Sequence, residues 1–347
     1  MKMKILYLLC ILMSLALLPL SADMISQPAA TVNLIRNTVI TVEQLNEKIA
    51  LYEQQAKSEG STTAVVPLNI LNIMVNDELV LQGAERDGYT ITDDQIAKMV
   101  KQQKTYVEQQ TGKAITDQQF EQVIKNTYGM DMVAFRKNLQ DSALVDAYIR
   151  GSQSETVNDV QQPIDKDIQD FYRANRTEFI NPELVRISHI YMAFDETNKA
   201  TVRTEMDKIA RWLKYNTYTF EELVPKYSQD KSSNTKGGDL GWLSYDDDAA
   251  RKQLGEEFFN TAFELALGKT SGVVESPNGF HVVKVTIHND PKMLGINDPI
   301  APDSTTSVYQ YIEKTLLSYN QQTAYLKAIN NLIESLRKDA LIEILYK

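Results

Sequence analysis

The sequence predicts an α+β protein: a mainly helical domain assembled from both ends of the chain, with a compact α+β unit inserted between them. Three observations carry that prediction. Apolar residues recur at helical spacing between Thr41 and Asn181 and again from Val308 to Leu336. Short strand-like runs stand near both extremities, Thr31 to Thr41 and Ala340 to Leu345. From Pro182 to His288 the pattern shifts to brief strands alternating with short helical faces, the order of a separate α+β unit. An open strand edge with apolar side chains invites aggregation, so the terminal strand needs a partner, and the run near Thr31 is the natural one. Pairing the two closes one domain from both chain ends and leaves residues 182–288 as the insert.

The elements follow in order. Lys2 and Lys4 precede an apolar run from Ile5 to Leu20 and then the small residues Ser21 and Ala22, the layout of a secretory signal over residues 1–22 with cleavage near Asp23. An uncleaved membrane anchor is the alternative; against it, a span needs ~20 apolar residues and Pro19 interrupts the end of this run. Cys10, the one cysteine of the sequence, lies behind Tyr7-Leu8-Leu9 rather than behind the small residues of a lipoprotein signal. The cleaved chain is therefore expected to carry no thiol, disulfide or lipid anchor, and a domain of this size can stand in an oxidising compartment on its core alone.

Residues 23–181 read as the first, helical part. Thr31 to Ile35 and Val39 to Thr41 are short strands about the turn-prone Arg36-Asn37. Thr41 with Gln44, Thr92 with Gln95 and Thr116 with Gln119 have the spacing of capping boxes, so each opens a helix. Pro67 starts the most apolar helix, with Leu71, Met74, Val75, Leu79 and Val80 among its side chains, the composition of a central helix in a bundle. Met132, Phe135, Leu139 and Ala143 mark a helix face behind Asp131, and Ile168, Phe171 and Tyr172 mark another before Asn181-Pro182. In the insert, Val185 to Phe194 is a strand; Val202 to Leu213 and Phe220 to Tyr227 present helix faces. Further strands fall near Trp242, at Gly272 to Glu275 and at Phe280 to Ile287. Residues 289–302, broken by Pro291, Gly295, Pro299 and Pro302, read as a linker that begins beside His288. Residues 303–347 carry a long helix stopping near Lys338 and the terminal strand, packed on the N-terminal domain.

Composition narrows the function. With 43% apolar and 24% charged residues over 347 positions, the chain is globular and long enough for two domains. A net charge of -10 without a basic run argues against nucleic acid as a partner, since phosphates require a basic face. The three histidines show neither H-x-x-x-H spacing nor cysteine companions, so no metal is expected.

Within the insert several stretches stand in order: S-H-I with His189, F-E-E-L at Phe220, Tyr227-Ser228-Gln229-Asp230, G-G-D-L-G-W from Gly237 to Trp242, Phe258 to Phe263, and N-G-F-H-V-V-K-V around His281. Together they resemble the parvulin-type peptidyl-prolyl isomerases across Val185 to Val285. The flanks resemble the SurA-like periplasmic chaperones, in V-N-D-E-L-V-L-Q-G-A-E-R-D-G from Val75 to Gly88 and in the end from Arg337. The resemblance implies a four-stranded antiparallel sheet flanked by helices. It also implies a prolyl isomerase that uses no cofactor, and a chaperone free in the periplasm whose clients are unfolded or nascent exported polypeptides and proline-containing peptides. An active isomerase with chaperone function and a holdase with an inactive isomerase domain are both open on this reading.

Carried over position by position, the resemblance makes His189 and His281 a pair of imidazoles bonded to one another, with Asp230 at the acidic position that some relatives fill with cysteine. Leu240, Leu254 and Phe258 would line the proline pocket, Phe258 offering its flat face, and Ser276 and Asn278 would stand at the rim. Taken without the resemblance, the same residues read as satisfied polar groups in a sheet, a turn aspartate and ordinary core. The loop from Lys231 to Lys236 is longer than the common form, which puts the Asp230 alignment in question. Asp246-Asp247-Asp248 either favours basic clients or forms a solvated loop, and the loop after Phe194 lacks the basic cluster that captures phosphate. The chemistry asks little of such a site: an X-Pro bond resists rotation by ~18–20 kcal/mol although its two forms differ by only about 0.5–1 kcal/mol. Binding the twisted amide better than either planar form by ~5 kcal/mol gives roughly four decades of rate.

Overall fold

The computed structural model describes residues 27–58, 60, 61 and 63–347; the expected leader, with Cys10, lies outside them. The chain divides into two compact units, one of Pro163–Leu316 and one of the flanks, up to Gln162 and from Leu317. The first flank holds β1 (Pro28–Asn33), β2 (Asn37–Thr41), α1 (Val42–Ser58), α2 (Pro67–Arg86), α3 (Asp93–Thr111), α4 (Asp117–Tyr128), α5 (Met132–Ser152) and α6 (Ser154–Asn158). The central unit holds α7 (Asp165–Ala174), β3 (Ile180–Asn181), β4 (Leu184–Ala193), α8 (Lys199–Lys214), α9 (Phe220–Tyr227), β5 (Asp239–Ser244), α10 (Asp248–Leu254), α11 (Glu256–Glu264), β6 (Val274–Ser276), β7 (Gly279–Asn289) and β8 (Lys292–Met293). A long α12 (Val308–Asp339) and β9 (Leu341–Ile344) complete the chain.

In the flanking unit the terminal strand finds the partner its apolar side chains call for: the sheet order is β2-β1-β9, antiparallel throughout, with Thr31 opposite Val39 on one side and Glu343 on the other. The three capping boxes form as spaced, at Thr41 with Gln44, Thr92 with Gln95 and Thr116 with Gln119. Asp131 caps α5 by accepting from the Ala134 amide at 2.8 Å. Helix α2 is central, burying Leu71, Val75 and Leu79 against Ile149 of α5 and Leu332 and Leu336 of α12.

The stretch from Val75 to Gly88 acquires a physical meaning here. Gln82, fully buried, turns its Oε1 to the β1–β2 turn and accepts from the amides of Leu34, Ile35 and Arg36 at 3.0, 3.1 and 3.4 Å. Its Nε2 donates to Thr38 Oγ1 and Glu78 Oε1 at 3.1 and 2.8 Å. Gly83 follows because α2, α5 and α12 approach one another closely there: a Cβ would lie 2.8 Å from Leu336 and 3.0 Å from Tyr148.

In the central unit the antiparallel sheet runs β5-β4-β7-β6, the four-stranded arrangement expected. Strand alternation divides its side chains between two covers. Val185, Ile187, Val283 and Val285 pack with Phe258, Phe259 and Phe263 of α11, while Ile190, Phe280 and Val282 pack with Met206 and Ile209 of α8 and Leu223 of α9.

Two expectations need correction. Residues 289–302 are not a free linker: β8 pairs with β3, Leu294 is buried with Ile168, Phe179, Val308 and Ile312, and Tyr172 donates to the Leu294 carbonyl at 2.7 Å. The apolar face of α7 and the first turns of α12 therefore pack within the central unit, although composition changes only at Pro182 and Pro302. Prolines mark turns, and turns need not be unpacked. His288 likewise lies on β7, opposite Val185, with Nε2 2.8 Å from Glu183 Oε1, rather than in a linker.

A leucine at position 82 matches glutamine in size but removes the acceptor for the turn amides. Gln82→Leu is expected to destabilise the flanking unit by about 2 kcal/mol, read as a lowered urea midpoint; an unchanged midpoint would show that water replaces the carboxamide at no loss.

Candidate active site

The register of β4 against β7 sets Tyr191 opposite His281 and His189 opposite Val283. The two histidines thus occupy diagonal positions on one face of the sheet, near enough for side chains to meet. Their Nδ1 atoms stand 3.0 Å apart, both rings are buried, and Tyr191 stacks within 5.8 Å of His189 and 4.9 Å of His281. The close fit depends on two glycines. Gly238, with φ +76, receives a hydrogen bond at its carbonyl from the His189 amide at 2.9 Å, and a Cβ there would lie 2.4 Å from the His189 carbonyl oxygen. A Cβ on Gly279 would lie 2.3 Å from the Tyr191 ring, whose hydroxyl donates to the Asn278 carbonyl at 2.8 Å.

The pair is extended at both ends. His189 Nε2 is 3.1 Å from Asp230 Oδ2, and His281 Nε2 is 2.9 Å from Ser276 Oγ. Burial pushes both rings down, His281 to about 3 with its neighbour His189 adding to the effect, whereas Asp230 partly offsets the burial of His189. Both are therefore neutral near pH 7. Burial also opposes the charge of Asp230, but hydrogen bonds from Ser233, Ser232 and His189 outweigh it and hold the carboxyl well below its usual range. An ionised Asp230 only accepts, so His189 donates from Nε2 and leaves Nδ1 bare. His281 must then donate from Nδ1, which leaves its Nε2 to accept; Ser276 Oγ stands 2.9 Å from it and 3.1 Å from the Gly279 carbonyl, and its single proton satisfies the ring when it turns to the nearer acceptor. A single direction of donation, Ser276 to His281 to His189 to Asp230, satisfies every ring nitrogen.

The structure thus brings His189, His281, Asp230 and Ser276 together, and the longer loop does not displace Asp230. The expected pocket residues are less uniformly placed. Phe258 is edge-on to His281 at 4.8 Å but wholly enclosed, with 0% of its surface exposed, so it offers no open face. Leu254 is half-buried against the same cluster, and only Leu240, at 37%, is exposed. Asn278 is exposed; its backbone, rather than its side chain, engages Tyr191 and Ser276. Asp247 caps α10, accepting from the Ala249 and Ala250 amides at 3.1 and 3.0 Å, which gives the acidic run a local role. Ser232, Ser233 and Tyr191 went unread in the sequence, although serines two and three places behind an aspartate are the pattern of a side-chain-closed turn, and Tyr191 stands at strand spacing from His189.

These buried rings predict a pH dependence of stability. An unfolded histidine takes up a proton near 6.5, but His281 in place does so only near 3. Between those values the unfolded chain binds a proton that the folded chain refuses. Stability is therefore full above 6.5 and declines as pH falls, by about 1.4 kcal/mol per pH unit for His281, with His189 adding in the same direction. Asp230, whose pKa is depressed, adds to the decline only below about 4. Urea midpoints between pH 7.5 and 5 should show this slope, and His281→Phe should flatten it; an equal slope in the variant would place the proton uptake elsewhere.

Residues 189–287 match the PPIC-type PPIASE domain family, and residues 2–124 match the SurA-like N-terminal domain family. Foldase protein PrsA 2 of Bacillus anthracis is 29% identical over 215 residues, covering 62% of this chain and 60% of that protein. Foldase protein PrsA of Clostridium botulinum (strain Langeland) is 26% identical over 265 residues, 75% of this chain and 69% of that one. The chain thus spans about 60% of the length of the first of these relatives. The solved structure of PrsA from Bacillus anthracis aligns at 22% identity and a TM-score of 0.28, over 78% of this chain and 96% of that one. Residues 189–287 are accordingly a parvulin-type domain of the PPIC class, set behind a SurA-like N-terminal domain.

Proposed function

We propose that the central unit catalyses cis/trans isomerisation of peptidyl-prolyl bonds in unfolded exported polypeptides, and that the flanking helical unit holds those polypeptides as a chaperone. The observation that carries this reading is the buried, neutral and fully bonded chain from Ser276 through His281 and His189 to the ionised Asp230. A planar prolyl amide owes its stiffness to charge separation between carbonyl oxygen and nitrogen, which water stabilises. A site that replaces water by apolar walls and by dipoles fixed in one direction favours the twisted form, in which that separation is lost. Such a site requires no nucleophile, no proton transfer and no cofactor. In this reading His189, Asp230 and His281 are the catalytic groups; Leu240, Leu254 and Phe258 receive the proline ring, and Ser276 and Asn278 stand at its edge. Export rests on the signal-like order of residues 2–22, and a place in the periplasm on the resemblance to SurA-like chaperones.

The enclosure of Phe258 favours a second reading, a holdase whose isomerase domain is inactive. A protease-coupled or NMR exchange assay on a proline-containing peptide separates the two. The purified chain is expected to exceed the uncatalysed rate, and Asp230→Ala to lower kcat/KM by roughly tenfold to a hundredfold while leaving suppression of client aggregation intact. Aggregation suppression with no rate above background leaves the holdase alone.

A further inference from the structure

We infer that the central unit carries a second polypeptide site, on the sheet face turned away from His189 and His281, that takes extended acidic segments. Alternation along β7 directs His281, Val283 and Val285 to the α11 side, and Phe280, Val282 and Lys284 to the α8–α9 side. On that second side a groove of about 1060 Å³ lies between the end of α8, the turn that follows it, the start of α9 and residues 268–273.

The groove wall selects the ligand. Residues 268–273 run into β6, the outermost strand, and are bound to β7 on one side through the Gly268 and Ser271 amides, each 2.8 Å from the carbonyls of Val285 and Val283. A sheet margin of this kind offers backbone groups to an extended chain laid beside it. Tyr218, 41% exposed and braced edge-on by Trp212 at 5.1 Å, supplies a fixed flat surface. The charges are lopsided. Asp207 pairs with Arg203 and Glu221 with Lys284, which leaves Arg211, Lys214 and Lys269 without an acidic partner among the described residues. On a chain of net charge -10, such a cluster of unanswered cations is complementary to carboxylates. A client segment held here would stay tethered to the unit whose other face lies against its prolyl bonds, raising their effective concentration.

Fluorescence anisotropy on the full chain tests this with a labelled, proline-free strand-forming peptide rich in Glu and a counterpart carrying Lys instead. The acidic peptide is expected to bind about tenfold more tightly than the basic one, and to lose about tenfold in affinity on Lys214→Glu with Lys269→Glu or on raising the salt. Both side chains are exposed and away from the histidine face, so turnover of a short prolyl peptide should be the same in the variant. Equal binding of the two peptides, or undiminished binding by the charge-reversed chain, overturns the proposal. Because the peptide contains no proline, the result is independent of whether the histidine face isomerises anything.

Discussion

Two imidazoles buried against one another constrain everything around them. A polar atom withdrawn from water must find a partner, and among the described residues no buried side-chain nitrogen or oxygen lacks one. For His189 and His281 that rule fixes more than pairwise contacts. It demands an acceptor at one end and a donor at the other, and therefore couples the loop carrying Asp230 to the hairpin carrying Ser276 through two adjacent strands. The register of β4 on β7, the close approach at Gly238 and the serines that keep Asp230 ionised are all conditions for one unbroken direction of donation. The site is a consequence of how this sheet can be closed without leaving a nitrogen unpaired.

The flanking unit solves a related problem with a neutral group. Gln82 lies beneath the β1–β2 turn and takes on three amides that the turn leaves outside the sheet ladder. The same sheet joins residues near both chain ends, β1 at Pro28–Asn33 and β9 at Leu341–Ile344. Joining ends so remote in sequence is less demanding than it looks, because the entropy of closing a loop grows only slowly with its length. A compact insert shortens the effective loop further.

Local rules made much of this legible. Capping boxes at Thr92 and Thr116 need only four residues to form, and they appear where their spacing put them. The alternation in Phe280 to Ile287 and the helix faces at Val202 to Leu213 are equally local. The likeness to parvulins drew attention to the residues that meet at the histidine pair, but not to the direction of their hydrogen bonds, which depends on Ser232 and Ser233 fixing the charge of Asp230. What composition could not show was where packing ends. Pro291, Pro299 and Pro302 interrupt backbone hydrogen bonding, yet Leu294 between them is buried by side chains far along the chain, and no local pattern encodes that contact. Tyr148, Gly83 and Leu336 meet for the same long-range reason.

Phe258 shows why fold and site are hard to separate. It is the residue expected to receive a proline ring, and it is also a fully enclosed member of the cluster beneath the sheet, touching His281 with its edge. Truncating such a ring removes core contacts worth ~3–5 kcal/mol, so any loss of function would be mixed with loss of structure. Asp230 stands differently, on a loop and only partly covered, with its effect carried by charge and hydrogen bonding rather than by volume. A ligand reaching the Phe258 ring must displace side chains that pack over its cluster, and the half-buried Leu254 at the end of the short α10 is one of them.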